Sequence, residues 1–375
     1  MKVAFAAGGT GGHLYPALVT AEEMQRRNPS FHGFFLVSRR GVERRILESS
    51  GFPFYELPVS SFGNDLSLRA VSSLVSMLDA WRKSVALLRE EKARVLVGFG
   101  AYVSVPAVLA ASALGMKIVI HEQNAVMGRA NRWLTRFADR VAVGLPQLGE
   151  RNGVARDYVL TGIPLRQALS SGMGKEESLD CLGLSRGVFT LLIMGGSQGA
   201  HALNQVAAEA AGLLAREGGF QIVHLSGSRD YETVLSAYAR AGVRAAVFPF
   251  LAEMEWAYAV ADLAECRCGA MTLAELAQAG LPSLLVPYPG SVGGHQEANG
   301  VVLARTGAAL LMRESDLTPG GFAEAVISLR KDAGMRSRMS ESARRLATPR
   351  ASEKLADLIE DAVRDPTDAT RAVTA

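Results

Sequence analysis

This chain contains few cysteines and has a small net charge. Its 375 residues include three cysteines, an odd number without the paired spacing of a zinc site, in a chain too long to need disulfide staples. A reducing, cytoplasmic compartment is therefore expected. The formal net charge is only +3, which argues against a dedicated nucleic-acid binder. Positive charge is concentrated in residues 1–162, so that half is expected to favour an anionic partner such as a phosphate or a membrane surface.

Long hydrophobic runs are also scarce. A secretion signal is not expected, because only five apolar residues follow Lys2 before the first glycine pair, against about 7–15 in a signal peptide. Residues 95–116 carry no charge, but Gly100 and Pro106 interrupt them. In place of a transmembrane span we predict a buried strand at Val95–Val97, a glycine turn and a helix from about Pro106.

Each half of the chain opens with an apolar strand that runs into a glycine-rich turn and then a helical pattern. In the first half Lys2–Ala7 precedes Gly8–His13, and in the second Thr190–Met194 precedes Gly195–Gly199. Further β-rich runs alternate with helix-like segments at residues 33–37, 95–97, 117–120, 140–143, 221–225, 246–248, 263–266 and 283–286. This alternation is typical of parallel sheets covered by helices on both faces. We therefore predict an α/β protein of two doubly wound, Rossmann-like domains, joined near residues 161–164 and facing a ligand-binding cleft.

The two glycine turns suit phosphate binding, because residues without Cβ expose backbone N–H groups at a helix N-terminus. Glycine also permits a tight turn with no ligand at all, and this alternative stays open. The dinucleotide fingerprint is not met, since Leu14 occupies its last glycine position. Arg39 and Arg40 could hold a 2′-phosphate, so an NADP-dependent enzyme remains a rival hypothesis.

Polar side chains follow the predicted strands of the first half. His13 ends the first glycine turn and is suited to act as a general base on a hydroxyl, or else only bonds the turn. His121, Glu122, Gln123 and Asn124 directly follow a predicted strand, so we expect them to cluster in a site at the sheet edge. Asn124 could instead cap the next helix.

The second half places small residues and one carboxylate after the predicted strand Leu263–Cys266. Small side chains from Cys268 onward leave a helix N-terminus open to a diphosphate. Glu275 lies one turn further on and is placed to accept both hydrogen bonds of a ribose diol. Alternatively, Thr272 and Glu275 form a capping box and serve only their own helix. Cys266 and Cys268 lack two further ligands nearby, so a metal site is not expected there.

The Asp-x-Asp pair that commonly holds a divalent ion on a nucleotide diphosphate is missing. Protein groups are therefore expected to neutralise a leaving diphosphate, and no metal or other cofactor is predicted. Arg166 and the helix N-terminus near Ala270 are the candidates. Gln296 and Asn299 could supply amide hydrogen bonds to a sugar, or simply belong to a solvated helix start.

A stripe of Leu74, Leu78, Trp81 and Val85 recurs at helical spacing beside basic residues. Such a stripe is ordinarily part of a hydrophobic core. Within the basic half of the chain it could instead be a membrane-docking face.

In this order, the motifs resemble those of the MurG family of peptidoglycan N-acetylglucosaminyltransferases over nearly the whole chain. The matching segments are Gly8–His13, Gly98–Ser104, His121–Asn124, Gly195–Ala200, Ala270–Glu275 and Gln296–Asn299. The resemblance implies a GT-B fold and inverting transfer of GlcNAc from UDP-GlcNAc to undecaprenyl-diphospho-MurNAc-pentapeptide (lipid I), which gives lipid II for peptidoglycan synthesis. It also implies a peripheral enzyme at the cytoplasmic face of the bacterial cell membrane.

The same resemblance implies roles for individual residues. The substrate-binding positions are Thr10, Gly11, Gly12, Asn124, Arg166, Ser197, Leu251, Ala270, Met271, Thr272, Leu273, Ala274, Glu275 and Gln296. The acceptor loops contain Gly8, Gly9, Gly100 and Tyr102. His13 is the favoured general base. Three residues depart from the family pattern: Ile163 stands where Asn is usual, Ala101 where Gly is usual and Cys268 where Ser or Ala is usual.

We expect residues 1–162 to form an acceptor and membrane-side domain and residues 163–349 to form a UDP-GlcNAc-binding domain. A helix over about residues 350–363 is expected to pack back on the first domain, before a disordered tail at 364–375. Three other functions remain open: another UDP-sugar-dependent GT-B glycosyltransferase, an NADP-dependent oxidoreductase, or a non-catalytic nucleotide-sugar-binding protein.

Overall fold

The computed structural model describes residues 1–8, 11–39, 41–59, 68–148, 157–169, 174–196 and 199–364, and at residues 41, 42 and 68–73 it describes the backbone. The chain forms two compact units. Unit 1 contains Met1–Leu165 and the segment that begins at Arg350, and unit 2 contains Arg166–Pro349.

Unit 1 alternates strands and helices along the chain. Its strands are β1 (Lys2–Ala6), β2 (His32–Ser38), β3 (Phe54–Leu57), β4 (Val95–Gly98), β5 (Lys117–Glu122), β6 (Arg140–Val143) and β7 (Tyr158–Leu160). The helices between them are α1 (Gly11–Arg27), α2 (Gly41–Ser50), α3 (Leu68–Glu90), α4 (Ala101–Ala113) and α5 (Arg129–Leu134). All strand pairs are parallel, in the order β3-β2-β1-β4-β5-β6-β7.

Unit 2 repeats this plan with a six-stranded parallel sheet in the order β10-β9-β8-β11-β12-β13. Its strands are β8 (Phe189–Met194), β9 (Phe220–Leu225), β10 (Arg244–Phe248), β11 (Leu263–Cys266), β12 (Ser283–Leu285) and β13 (Ala309–Leu311). Its α-helices are α6 (Lys175–Cys181), α7 (His201–Glu217), α8 (Tyr231–Ala241), α9 (Met254–Val260), α10 (Ala270–Ala279), α11 (His295–Arg305), α12 (Pro319–Lys331) and α13 (Ala333–Leu346). Short 3-10 helices cover Gln167–Leu169, Val292–Gly294 and Glu314–Asp316.

The last helix, α14 (Ala351–Arg364), packs on unit 1. Leu355 and Ile359 of this helix are fully buried in the same hydrophobic cluster as Phe5 of β1. Arg27 at the end of α1 donates hydrogen bonds to the Asp357 carboxylate, at 2.6 Å, and to the backbone carbonyl of Glu353, at 3.0 Å. The helix therefore covers the sheet of unit 1 after the chain has completed unit 2.

Hydrophobic strands and crossover helices explain both sheets. Positions Val3–Ala6 of β1 and Val95–Gly98 of β4 are buried, as expected for central parallel strands that are covered on both faces. Sequence order reverses between β1 and β4 in unit 1, and between β8 and β11 in unit 2. In such sheets ligands bind at the carboxyl ends of the strands beside this reversal. The predicted fold class is confirmed, and each glycine turn lies at such a point.

The strands that sequence patterns missed are β3, β7 and β13, each at an edge of its sheet. They contain only three or four residues, too few to show a periodic pattern, and they are partly exposed. The predicted start of a helix at Pro106 is wrong, because α4 begins at Ala101 and contains Pro106. Gly100, at φ +92°, turns the chain directly into the helix, and proline removes only one backbone hydrogen bond from it. No described helix combines the length and hydropathy needed to cross a bilayer.

Candidate active site

Residues at the carboxyl ends of β1, β4 and β5 meet in unit 1. His13 lies in the first turn of α1, and its Nδ1 is 3.0 Å from Oε1 of Gln123, which directly follows β5. Gly100 follows β4, and a Cβ built there would lie 3.5 Å from the His13 ring. The structure thus brings together three of the sequence motifs around one imidazole.

Glu122 is the structural centre of the loop after β5. Its Oε1 accepts hydrogen bonds from the backbone N–H and the side-chain amide of Asn124, at 3.0 and 2.9 Å. Its Oε2 accepts from the N–H of Gly128 and the amide of Asn131, at 3.1 and 2.9 Å. Both oxygens of this buried carboxylate are therefore engaged. The cap residue of α5 is Gly128, so the alternative that Asn124 caps the next helix is wrong.

His121 is fully buried beneath this loop. Its Nε2 lies 3.0 Å from the carbonyl oxygen of Gly162, and its Nδ1 lies 3.1 Å from Nε2 of Gln123. Burial penalises the charged ring and lowers the pKa of His121 to about 4. His121 is therefore neutral at physiological pH.

Gly100 and Ala101 both adopt left-handed backbone conformations, with φ of +92° and +62°. Glycine reaches this region at no steric cost, whereas a Cβ there costs roughly 1–2 kcal/mol. Ala101 is one of the three departures from the MurG pattern, and it holds a backbone conformation that glycine adopts more readily. Tyr102, the next residue, is exposed.

The first glycine turn is described in part. Gly8 lies against a buried carboxylate, because a Cβ built there would be 3.3 Å from both oxygens of Glu43. Gly11 and Gly12 open α1 and are half-buried. The remaining predicted positions of both glycine turns, Gly9, Thr10 and Ser197, lie outside the described residues, as does Arg40.

In unit 2 the glycine turn is dictated by close backbone contacts. A Cβ at Gly195 would lie 2.2 Å from the backbone nitrogen of Ala200, and one at Gly199 would lie 2.1 Å from the carbonyl oxygen of Ser226. Gly199 also has φ +74°. Glycine is therefore required at both positions by the fold itself, whether or not a phosphate binds.

A buried polar network that the motifs did not predict supports this turn. Asn204 of α7 donates to the carbonyl of Ser226, at 2.7 Å, and to Asp230, at 2.8 Å. Its Oδ1 lies 3.0 Å from Nε2 of His224, whose Nδ1 is 2.7 Å from the Tyr238 hydroxyl. Burial lowers the pKa of His224 to about 3, so this histidine is a neutral structural residue.

The N-terminus of α10 provides a second candidate site. The N–H of Leu273 bonds the carbonyl of Gly269, while the N–H groups of Ala270, Met271 and Thr272 have no partner among the described residues. Among the described residues, no side chain caps this helix. Free N–H groups and the helix dipole favour an anion here. The Leu273 side chain is fully buried, so this residue can face a ligand only through its backbone.

Glu275 lies on the flank of α10 and is buried. Its Oε2 accepts a hydrogen bond of 2.8 Å from the Tyr258 hydroxyl of α9. Desolvation raises the pKa of Glu275, while the Tyr258 hydrogen bond and the positive charge of Arg166 oppose that rise. The capping-box alternative is wrong, because Gly269 is the cap residue and Thr272 lies inside the helix. The carboxylate is thus held by a neighbouring helix.

Arg166 comes close to this group. It donates a hydrogen bond of 3.2 Å to the carbonyl of Ala252, next to the buried Leu251 in the loop after β10. Its charge acts on both Glu275 and Tyr258. The structure therefore brings Arg166, the Leu251 loop and Glu275 into one region of unit 2.

Gln296 and Asn299 hold the loop before α10 in shape. Gln296 Oε1 accepts from the N–H of Cys268, at 3.2 Å, and of Tyr288, at 2.9 Å, which leaves its NH₂ group for a ligand. Asn299 is fully buried and donates to the carbonyl of Cys268, at 3.1 Å. Its predicted hydrogen bond to a sugar is therefore wrong, because burial denies a ligand access to it.

Arg267 is a further residue that the motifs missed. It donates to the carbonyls of Val286 and Pro287, pairs with Glu314 and lies over the Tyr288 ring. These contacts fix the start of the loop between β12 and α11. The only sequence signal for Arg267 was an arginine directly after a buried strand.

Cys266, Cys268 and Ile163 are packing residues. Cys266 and Cys268 are buried free thiols, and burial raises the pKa of Cys268 to about 12. The described residues contain no cluster of three metal-ligating side chains. Ile163 is buried against Gly144, where a Cβ would lie 2.4 Å from it. Two of the departures from the family pattern therefore fill space.

A cavity of about 490 Å³ lies among α9, α10 and α13 in unit 2. Tyr258 and Glu275 line it together with Asp262 and Arg344. Of the described residues predicted to bind substrate, Glu275 alone lines this cavity. The cavity is therefore not the predicted donor site as a whole.

Two doubly wound parallel-sheet units, each with a glycine turn at the reversal of strand order, have the architecture of the GT-B glycosyltransferases. The N-terminal domain of glycosyltransferase family 28 matches residues 3–143, and the C-terminal domain of the same family matches residues 190–361. The matches thus include the residues around His13 and those around α10, while Arg166 lies between the two matched ranges.

Individual relatives agree. The UDP-N-acetylglucosamine--N-acetylmuramyl-(pentapeptide) pyrophosphoryl-undecaprenol N-acetylglucosamine transferase of Halothermothrix orenii is 37% identical, covering 96% of this chain and 99% of the relative. The enzyme of that name from Desulforudis audaxviator is 37% identical, with 96% and 98% covered. The crystal structure of Acinetobacter baumannii MurG has a TM-score of 0.78 at 31% identity, with 96% and 99% covered. The chain belongs to the MurG family within glycosyltransferase family 28.

Proposed function

We propose that this protein transfers GlcNAc from UDP-GlcNAc to the MurNAc of lipid I and forms lipid II, with inversion at the anomeric carbon. The observation that carries the proposal is 37% identity to a transferase of this name over 96% of the chain. A partial likeness would support only a nucleotide-sugar-binding fold. Because the identity extends over both units, it supports use of both the proposed donor and the proposed acceptor.

Unit 2 is the proposed donor-binding unit. The unpaired N–H groups at the start of α10 suit the diphosphate of UDP, and Arg166 adds positive charge near it. Glu275, oriented by Tyr258, accepts hydrogen bonds from the ribose diol in this proposal. Gln296, whose Oε1 accepts from the N–H of Cys268 just before this helix, uses its amide NH₂ in this proposal to donate to the sugar or phosphate.

Unit 1 carries the proposed base. His13 accepts the proton of the acceptor hydroxyl as that oxygen bonds the anomeric carbon and UDP leaves with the electron pair. Glu122 is less suited, because four hydrogen bonds already occupy its two oxygens. Membership of a glycosyltransferase family disfavours the NADP-dependent alternative. The carboxylate of Glu43, which lies against Gly8, also disfavours it, because a negative charge at this turn does not suit a cofactor phosphate.

Release of UDP with and without a lipid I analogue tests the proposal. UDP formation that depends on the acceptor is expected. A protein that binds UDP-GlcNAc and never turns it over would instead be a non-catalytic binding protein. Turnover with other acceptors and not with lipid I would identify a different UDP-sugar transferase.

Glu275→Ala is expected to raise the KM for UDP-GlcNAc by about 10-fold or more, because a lost hydrogen-bond acceptor costs at least ~1.4 kcal/mol of donor binding. Tyr258→Phe should act in the same direction with a smaller effect, since it releases the carboxylate from its hydrogen bond. Steady-state kinetics measure both. Tyr231→Phe, on α8, is the control. Unchanged donor KM with lowered thermal stability in both variants would make this pair purely structural.

We further propose peripheral association of unit 1 with the membrane. The predicted stripe divides in the structure: Leu74 and Leu78 are 69% and 45% exposed, whereas Trp81 and Val85 pack against the core. Val75 beside them is 55% exposed. Apolar side chains exposed on a helix suit insertion into the headgroup region of a bilayer.

Helix α5 of the same unit carries further exposed apolar and basic side chains. Trp133 is 42% exposed, and the flanking Arg129, Arg132 and Arg136 are exposed as well. Tryptophan suits the membrane interface, and basic side chains are attracted to anionic lipid, each contributing about 1 kcal/mol near the surface. Exposed apolar and cationic side chains on one unit therefore support docking to an anionic membrane.

The double variant L74S/L78S should lose binding to vesicles of phosphatidylglycerol while it keeps wild-type turnover of a soluble acceptor analogue. Vesicle co-sedimentation measures the first and UDP release the second. Leu235→Ser changes an exposed leucine of unit 2 and is the matched control. Wild-type vesicle binding should also weaken with added salt. Retained binding of the double variant would place the docking surface elsewhere.

A further inference from the structure

The orientation of the Gln123 amide is determined by a backbone carbonyl. Its Nε2 lies 3.1 Å from the carbonyl oxygen of Phe99, which can only accept a hydrogen bond. Reversing the amide would bring two acceptor oxygens into contact. The NH₂ group therefore faces Phe99, and Oε1 faces His13.

The tautomer of His121 is also determined by a backbone carbonyl, which lies at the ring nitrogen that does not face Gln123. Its Nε2 lies 3.0 Å from the carbonyl oxygen of Gly162 and must carry the hydrogen. The ring is neutral because burial lowers its pKa to about 4. Its Nδ1 then holds a lone pair, which accepts the second N–H of Gln123 at 3.1 Å. The carbonyls of Phe99 and Gly162 thus independently require that Gln123 donates the hydrogen bond to His121.

These bonds determine where the hydrogen of neutral His13 lies. Gln123 Oε1 can only accept, and it is 3.0 Å from Nδ1 of His13, so Nδ1 carries the hydrogen. The lone pair of neutral His13 is then on Nε2. That atom has no hydrogen-bond partner among the residues that the structure describes.

We propose that Gln123, oriented by Phe99 and His121, is a positioning residue that holds His13 as the Nδ1–H tautomer and makes Nε2 the atom that takes up the proton. The proposal deepens the proposed function and rests on it, because it takes His13 as the base. The O–H bond of the acceptor breaks and its proton passes to Nε2. The oxygen bonds the anomeric carbon, and the bond to UDP breaks with its electron pair. Nδ1–H continues to donate to Gln123 while the ring is positively charged, which stabilises the imidazolium.

The tautomer can be measured without activity. In full-length protein labelled with ¹⁵N-histidine, long-range ¹H–¹⁵N correlations distinguish the Nδ1–H from the Nε2–H form, and His13→Gln identifies the His13 signals. At a pH where His13 is neutral, we expect Nδ1–H in the wild type. An Nε2–H tautomer in the wild type would overturn the proposal. An Nδ1–H tautomer in a protein that transfers no GlcNAc would contradict the proposed function and not the tautomer assignment.

The variant Gln123→Met keeps the length of the side chain and removes its hydrogen bonds. We expect loss of the fixed Nδ1–H form and a fall in kcat of about 10- to 100-fold, with donor KM within about twofold, since the base acts on the acceptor. Gln147→Met, a half-buried glutamine of the same unit, should leave the tautomer unchanged. An unchanged His13 tautomer in Gln123→Met would overturn the proposal, and if that variant does not fold, the wild-type spectrum decides.

Discussion

His13→Ala is expected to lower kcat by about 10²- to 10⁴-fold while the KM for UDP-GlcNAc stays nearly constant. A general base acts on the acceptor proton in the transition state and makes no contribution to donor binding, so the loss falls on kcat. The same variant should lack the acidic limb of the pH–rate profile, because that limb reports protonation of the base. Initial rates over a pH series, with donor and acceptor varied separately, measure both effects.

His32→Ala is the matched control, since His32 is an exposed histidine of unit 1 at the start of β2. It should keep wild-type kcat and the wild-type pH profile. A His13→Ala protein with wild-type kcat, or with the acidic limb intact, would move the base to another residue. Glu122→Gln would then be the next variant to measure, even though Glu122 is already fully hydrogen-bonded.

Glu265→Gln is expected to stabilise unit 2 increasingly as the pH rises. Glu265 lies in the central strand β11 with 1% exposure, and its Oε2 has no hydrogen-bond partner within the described parts of the chain. Burial raises its pKa from 4.5 to about 8, although Arg267 opposes the shift. Between those values the unfolded chain releases the proton while the folded chain keeps it, so stability falls as pH rises through this window. The amide of glutamine does not ionise and avoids this loss.

The expected magnitude is large for a single residue. Each pH unit in the window lowers the free energy of unfolding by up to about 1.4 kcal/mol, and because the effect levels off near the folded pKa the total is on the order of 3 kcal/mol between pH 5 and pH 8. Calorimetry at pH 5 and pH 8 should therefore show similar midpoints for both proteins at pH 5. At pH 8 the variant midpoint should be higher by roughly 6–12 °C.

Glu232→Gln, at an exposed glutamate of α8, is the control for a change of surface charge. It should shift neither midpoint. Equal stability of wild type and Glu265→Gln at pH 8 would mean that Glu265 finds a partner or water in solution, and that its carboxyl group is not kept neutral by the core.

The sheets were predictable because central parallel strands are continuous apolar runs between glycine turns. Val95–Val97 and Leu191–Met194 carry that pattern, and the structure places both beside the reversal of strand order. The short edge strands were not predictable, since β7 and β13 have three residues each and partial exposure. The start of α4 was misplaced because proline is most common in the first turn of a helix, whereas Pro106 occupies the sixth position of this one.

Sequence motifs predicted which segments form the site, but they did not predict which of its residues contact one another. Gln123 was visible only as one of four polar residues after a strand, while its place between His13 and His121 depends on where β1 and β5 end. Tyr258 lay in an apolar helical run without a motif, and its hydrogen bond to Glu275 arises from the packing of α9 beside α10. Such contacts join residues of different strands, helices and loops, and the hydrophobic periodicity of the sequence does not predict them.

The most direct test of the account is the structure of the product formed from UDP-GlcNAc and lipid I. The purified full-length chain should convert lipid I to a lipid-linked disaccharide, with one UDP released per GlcNAc transferred. NMR of the released disaccharide should show a β-glycosidic bond, inverted from the α-linked donor. Absence of the disaccharide, UDP formation independent of lipid I, or an α linkage in the product would contradict the account.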